Sequence, residues 1–74
     1  MTHYTKRIRD LREDSDLKQS EVAAALHIVT QQYQRYESGM FPLPIDKLIE
    51  LCIFYDTDPA YILGFTDKKA RLPK

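Results

Sequence analysis

The stretch Gln19-Ser20-Glu21-Val22-Ala23-Ala24-Ala25-Leu26-His27-Ile28-Val29-Thr30-Gln31-Gln32-Tyr33-Gln34-Arg35-Tyr36-Glu37-Ser38-Gly39 decides how this 74-residue chain is read. Val22, Ala23 and Leu26 recur at the spacing of one helix face, and Tyr33 and Tyr36 do so again after a break. His27 stands where the chain must turn sharply, and His is among the non-glycine residues enriched at positive φ. Gly39 fits the left-handed position that closes a helix. The pattern predicts two short amphipathic helices joined by a tight turn. The first opens at Lys18 or Gln19; the second starts at Val29 or Thr30 and runs to about Ser38. Ala23 is small where a crossing helix needs close approach. The outer face of the second helix carries Thr30, Gln31, Gln34 and Arg35 and is nearly bare of acid. Such side chains suit the edges of bases in a DNA major groove.

Working outward, Tyr4, Ile8 and Leu11 share a face of an earlier helix that Thr2 or Thr5 can cap and that should stop near Ser15-Asp16. After the rigid loop Phe41-Pro42-Leu43-Pro44, a strongly apolar fourth helix sets Ile45, Leu48, Ile49, Cys52 and Tyr55 on one face. Asp58-Pro59 is a cap followed by a helix-starting proline, and the short fifth helix Ala60-Tyr61-Ile62-Leu63 ends at Gly64. The expectation is an all-α, compact five-helix domain over residues 3–66, followed by a charged, mobile tail over residues 67–74.

Composition narrows the possibilities. An apolar content of 43% suffices for a small core, near the size at which further burial is often gained by dimerising. The single cysteine, Cys52, excludes an internal disulfide and favours a reducing compartment. No apolar run approaches the roughly 20 residues that cross a membrane, and no signal-peptide h-region opens the chain. A cytoplasmic protein is expected. Formal net charge is zero, against the basic excess of many nucleic-acid binders. The distribution matters more, because Val22 to Gln34 holds no charge at all.

Four segments, in order, resemble the Cro/XRE type of phage-repressor helix-turn-helix domain over about Tyr4 to Asp67. They are Arg9-x-Leu11-Arg12-Glu13, Leu17-x-Gln19-x-x-Val22-Ala23-x-x-Leu26, Arg35-Tyr36-Glu37-Ser38-Gly39 and Asp58-Pro59-Ala60-Tyr61-Ile62-Leu63-Gly64. The resemblance implies that the third helix docks in the major groove while the second lies across the backbone. It carries base reading to Thr30, Gln31 and Arg35, with Gln34 reaching either phosphate or base. Gln suits adenine and Arg guanine, each good pair being worth about 1–3 kcal/mol of discrimination. Gln19 takes a phosphate position at a helix N-terminus, and Arg12 and Glu37 take those of a half-buried interhelical ion pair. This chain departs from the pattern at His27, where glycine is usual, and at Val29, where a Ser or Thr cap is usual. If the cap shifts to Thr30, its hydroxyl is partly committed and Gln31 becomes the first free reader. The loop Met40-Phe41-Pro42-Leu43 lacks the basic residues expected there, which leaves Lys18, Gln19, Ser38 and Lys47 as phosphate candidates.

Plainer readings stand beside these. Tyr33 and Tyr36 lie opposite the glutamines and read as core. His27 reads as a turn residue. Neither His3 nor His27 has ligand-spaced partners, so no metal or other cofactor is expected. Cys52 reads as a buried thiol, and Asp56 and Asp58 as turn and cap chemistry. With no nucleophile or acid–base pair, an enzyme is not expected. Met40, Phe41 and Leu43 either fold onto the core or form an apolar subunit contact; the resemblance places a dimer contact there and adds Phe65. The leading expectation is a homodimeric, operator-reading transcriptional regulator of double-stranded DNA, most simply a repressor. The alternative is a protein-interaction module, such as an antitoxin or accessory partner, built on the same apolar residues.

Overall fold

The computed structural model describes residues 3–73. Among them the helices are α1 (Tyr4–Asp14), α2 (Gln19–Ala25), α3 (Thr30–Ser38), α4 (Ile45–Tyr55) and α5 (Pro59–Ile62), with no strand. Helices this short are marginal alone, so their ends and their packing must hold them. Four ends close alike. One or two residues past the helix end the backbone is left-handed, at Asp16 (φ 56°), His27 (φ 58°), Asp56 (φ 50°) and Gly64 (φ 86°). The next N–H then reaches back five residues: Leu17 to the Arg12 carbonyl at 3.0 Å, Ile28 to Ala23 at 3.0 Å, Thr57 to Cys52 at 2.9 Å and Phe65 to Ala60 at 2.9 Å. This motif satisfies carbonyls that would otherwise be orphaned and turns the chain sharply. Gly39, at φ 84°, closes α3.

The starts differ from one another. Asp58 caps α5 by accepting from the Ala60 N–H at 2.8 Å. At α2 the Glu21 carboxylate accepts from the Lys18 N–H at 2.9 Å. The cap of α1 is neither threonine: Thr2 lies outside the described residues, and Thr5 is already helical. His3 holds the position, its Nδ1 accepting from the Thr5 N–H at 3.2 Å, as a Ser or Asp oxygen would.

Ile8, Leu11, Val22, Ala23, Leu26, Tyr33, Leu51, Cys52 and Ile62 meet in one core. Fully burying a large apolar side chain stabilises by roughly 1.5–3 kcal/mol, which is how helices below stable length are kept. The face of α4 needs correction. Leu51 and Cys52 are buried and Leu48 and Tyr55 pack against the core, but Ile45 and Ile49 are 75% and 53% exposed. Apart from the side that carries Asp46, Lys47 and Glu50, α4 is apolar all round, so periodicity leaves open which of its apolar sides is buried.

Residues 67–73, expected as a mobile tail, lie against the body. Asp58 N–H donates to the Ala70 carbonyl at 2.8 Å, Arg71 pairs with Asp56, Asp67 meets Arg7 at 2.7 Å, and Leu72 packs on the core.

Candidate nucleic-acid interface

The outward face of α3 is positioned from beneath. Tyr33 is fully buried, and Tyr36 and Glu37 are nearly so, so the helix cannot roll without exposing aromatic surface. Gln31 and Gln34 are then exposed and Thr30 and Arg35 half-buried, all on the opposite side. Val29 occupies the N-cap with no side-chain bond, and Thr30 is the first helical residue. Thr30's hydroxyl is therefore not spent on the cap.

A polar relay ties this face to the two preceding helices. Gln34 Nε2 donates to Gln19 Oε1 at 3.1 Å, and Gln19 Nε2 donates to Glu37 Oε1 at 3.4 Å. Glu37 takes a bidentate pair from Arg12, Nε to Oε2 at 2.9 Å and Nη2 to Oε1 at 2.8 Å. Arg12 also donates to the Leu17 carbonyl at 3.0 Å, which fixes the α1–α2 connection. Burial pushes the Glu37 carboxyl up, but the Arg12 bonds and charge more than offset it, and the group is held below the usual carboxylate range. Burial, with Glu37 alongside, pushes the Tyr33 phenol far above its ordinary range. Glu37 is thus an anion and Tyr33 a neutral phenol at physiological pH. The Gln34–Gln19 bond leaves Gln34 its carbonyl oxygen and one N–H, and Gln19 one N–H, for other partners.

At the far end of α3 the Arg35 guanidinium lies 5.3 Å from the centre of the Phe41 ring. Phe41 N–H donates to the Arg35 carbonyl at 3.2 Å, and Ser38 Oγ donates to the same carbonyl at 3.2 Å. Phe41, at 41% exposed, therefore backs Arg35; Met40 and Phe65, at 69% and 72%, are free apolar surface. Leu43 packs towards the core and its N–H donates to the Tyr4 hydroxyl at 3.2 Å.

The phosphate candidates divide. Lys18 and Ser38 are exposed and Gln19 half-buried, around the start of α2 and the end of α3. Lys47 is used elsewhere: its ammonium donates to the Leu26 carbonyl at 2.9 Å and pairs with Glu50 at 2.9 Å. It closes the C-terminal end of α2, where a cation is favoured by the helix dipole. Arg9 belongs to the α1 segment of the family pattern. In the fold it is exposed beside Gln19, Gln34 and Ser38. Spacing along α1 could not have shown this, because those neighbours belong to α2 and α3. Among the described residues no cluster of His, Cys, Asp or Glu is arranged to hold a metal. Nor is any helix long and apolar enough to cross a membrane.

Comparison with known proteins agrees with this geometry. The family described as helix-turn-helix matches residues 8–62, from the core of α1 to the end of α5. The chain is also 38% identical over 64 residues to YobD of Bacillus subtilis (strain 168), described as an uncharacterized HTH-type transcriptional regulator. That alignment takes in 86% of this chain and 57% of the relative, so the chain spans little more than half of that protein's length. With the matched region running from the core of α1 to the end of α5, the chain belongs to the Cro/XRE type of helix-turn-helix family.

Proposed function

We propose that this chain is a sequence-specific, DNA-binding transcriptional regulator, non-enzymatic and free of cofactor, that acts as a repressor by occupying an operator. The observation that carries the reading is the outer face of α3, which presents Thr30, Gln31, Gln34 and Arg35 without an opposing acid and is locked from below by Tyr33, Tyr36 and Glu37. Those residues read base edges, and Lys18, Gln19 and Ser38 hold the phosphates on either side. A chain of zero net charge gains little from non-specific attraction, so two half-sites bound by a homodimer supply the missing affinity. A body of 29 × 25 × 23 Å suits two copies side by side, with recognition helices about one turn of DNA, roughly 34 Å, apart. Met40 and Phe65, and Phe41 where Arg35 leaves it uncovered, are the candidate contacts between copies.

A second reading is favoured by a separate observation. Ile45, Ile49 and Ile53 succeed one another at four-residue intervals along α4 and are 75%, 53% and 66% exposed. An apolar stripe of this kind marks a contact surface more often than a solvated face. It would serve an interaction module, such as an antitoxin or accessory partner, as readily as a dimer.

Selection from a random duplex library, repeated over a salt series, tests the first reading. An enriched inverted repeat whose binding weakens steadily with salt is the expected result. Enrichment of a single half-site would remove the homodimer, and absence of any enriched sequence would remove base reading and leave the interaction module.

A further inference from the structure

We propose that two copies of this chain meet through α4, helix against helix, on the stripe Ile45–Ile49–Ile53. The proposal rests on the homodimer reading above and gives it a contact surface. On α4 the three isoleucines form one row at four-residue intervals. The row on one side, Leu48 and Cys52, faces the core. The row on the other, Asp46 and Glu50, is polar, and Glu50 is engaged by Lys47 at 2.9 Å. The stripe between them stays in water, exposing together about as much surface as two whole isoleucines. Met40 and Phe65, by contrast, lie in loops and form no row.

Symmetry and size decide the occupant. A two-fold contact needs a patch that is complementary to itself. Read in either direction, the stripe is isoleucine, three residues, isoleucine, three residues, isoleucine. An antiparallel copy therefore sets Ile49 against Ile49 and Ile45 against Ile53. A row at four-residue intervals is also the ridge that both helices use in the commonest class of helix packing, with the crossing point here at Ile49. The two Asp46 carboxylates fall on one edge of the pair, about 9 Å apart along the axis, roughly a Debye length at physiological salt, so their repulsion is small. One face of an 11-residue helix is a small contact, in the class below about 1,200 Å² that holds partners weakly. A free partner of other sequence would not be held by it for long. Two copies set side by side on neighbouring half-sites meet at an effective concentration of about millimolar, where a weak contact suffices.

The test compares binding to an inverted repeat of the selected half-site with binding to a single half-site, by fluorescence anisotropy, with sedimentation equilibrium of the free protein alongside. Ile49→Lys should leave half-site affinity and the helical circular-dichroism spectrum unaltered and weaken binding to the inverted repeat roughly tenfold or more. Ile49→Glu should do the same. An equimolar mixture of the two variants should recover most of the loss, since the two-fold axis brings position 49 of each copy together. Phe65→Lys should change neither affinity. If Ile49→Lys binds the inverted repeat as tightly as the unaltered chain, the homodimer reading stands and the copies meet elsewhere. Dissociation by Phe65→Lys alone would place the contact beyond α5 and also overturn the proposal. If the unaltered chain binds the inverted repeat no more tightly than a half-site, both fall and the stripe belongs to a protein of different sequence. Should no duplex be bound at all, sedimentation decides: a dimer that Ile49→Lys dissociates keeps the α4 contact, and a monomer at about 0.5 mM overturns it.

Discussion

Arg12 and Arg7 rise from the same helix five residues apart, one towards α3 and the other towards α5 and the C-terminal segment. Arg12 meets Glu37 through two bonds, and that carboxylate is only 5% exposed. Arg7 meets Asp67 through one bond of 2.7 Å, and that carboxylate is 96% exposed. The difference teaches that an arginine's own burial says little about its ion pair; the partner's burial decides. A solvated carboxylate already has its hydration and gains little from pairing, whereas a covered one depends on its partner. Arg7 is held by something else, the face of Tyr61, 4.1 Å from its guanidinium carbon. One arginine orients the recognition helix, and the other packs the back of the domain.

Breaking the first pair should have the largest effect. Glu37→Ala leaves Arg12 covered and unpaired, and urea unfolding should show a loss of about 3 kcal/mol, at the low end for buried pairs because the Arg12 side chain keeps 15% exposure. The same variant should blur base preference, since Gln19 and through it Gln34 lose their anchor. If stability falls by less than 1 kcal/mol, the contrast between the two arginines disappears.

Acid should separate them as well. The folded-state pKa of Glu37 lies below its unfolded value, near 4.3 for an unperturbed glutamate. Its stabilisation is therefore fully present above that pH and is lost as pH falls through the depressed value. Asp56, held down by its bond to Arg71, contributes with the same sign. Urea midpoints measured from pH 7 to pH 3 should drop below about pH 4, and Glu37→Gln should show a shallower drop.

At the other arginine, Arg7→Ala should lower the melting temperature by roughly 5 °C through lost packing on Tyr61. Asp67→Asn should change stability by less than about 0.5 kcal/mol. Equal effects from the two substitutions would show that the ion pair, and not the ring, holds Arg7. The smallest effect on stability is expected at a third arginine. Arg35 stands 5.3 Å from Phe41, a longer and more exposed contact than that of Arg7. Phe41→Ala should leave melting unchanged and relax preference two- to fivefold at the base pair Arg35 reads, about 0.5–1 kcal/mol. A dimer that falls apart on this substitution would instead return Phe41 to the subunit contact.

Much of the fold was legible because its signals are local. Val22, Ala23 and Leu26 announce α2 by spacing, and Asp58-Pro59 announces α5 by cap chemistry. His27 is a residue type that tolerates the left-handed turn its position requires. The candidate site was legible in part, since Gln31 and Arg35 lie opposite Tyr33 and Tyr36 by helical period alone. Lys47 was misleading for a physical reason. A lysine's reach is long, and only the fold brings the Leu26 carbonyl and Glu50 within its grasp. Phe41 was ambiguous because loop residues carry no periodicity.

By itself, then, the sequence determined the helices, their order, their sharp ends and an outer face of α3 without acid. Each follows from residues within a few positions of one another. Only the tertiary structure decided which side of α4 is buried, that Lys47 closes α2, that Phe41 backs Arg35, and that Arg9, Gln19 and Ser38 stand together. Those depend on how helices distant in the chain pack, where a rotation of one helix by a fraction of a turn changes every neighbour.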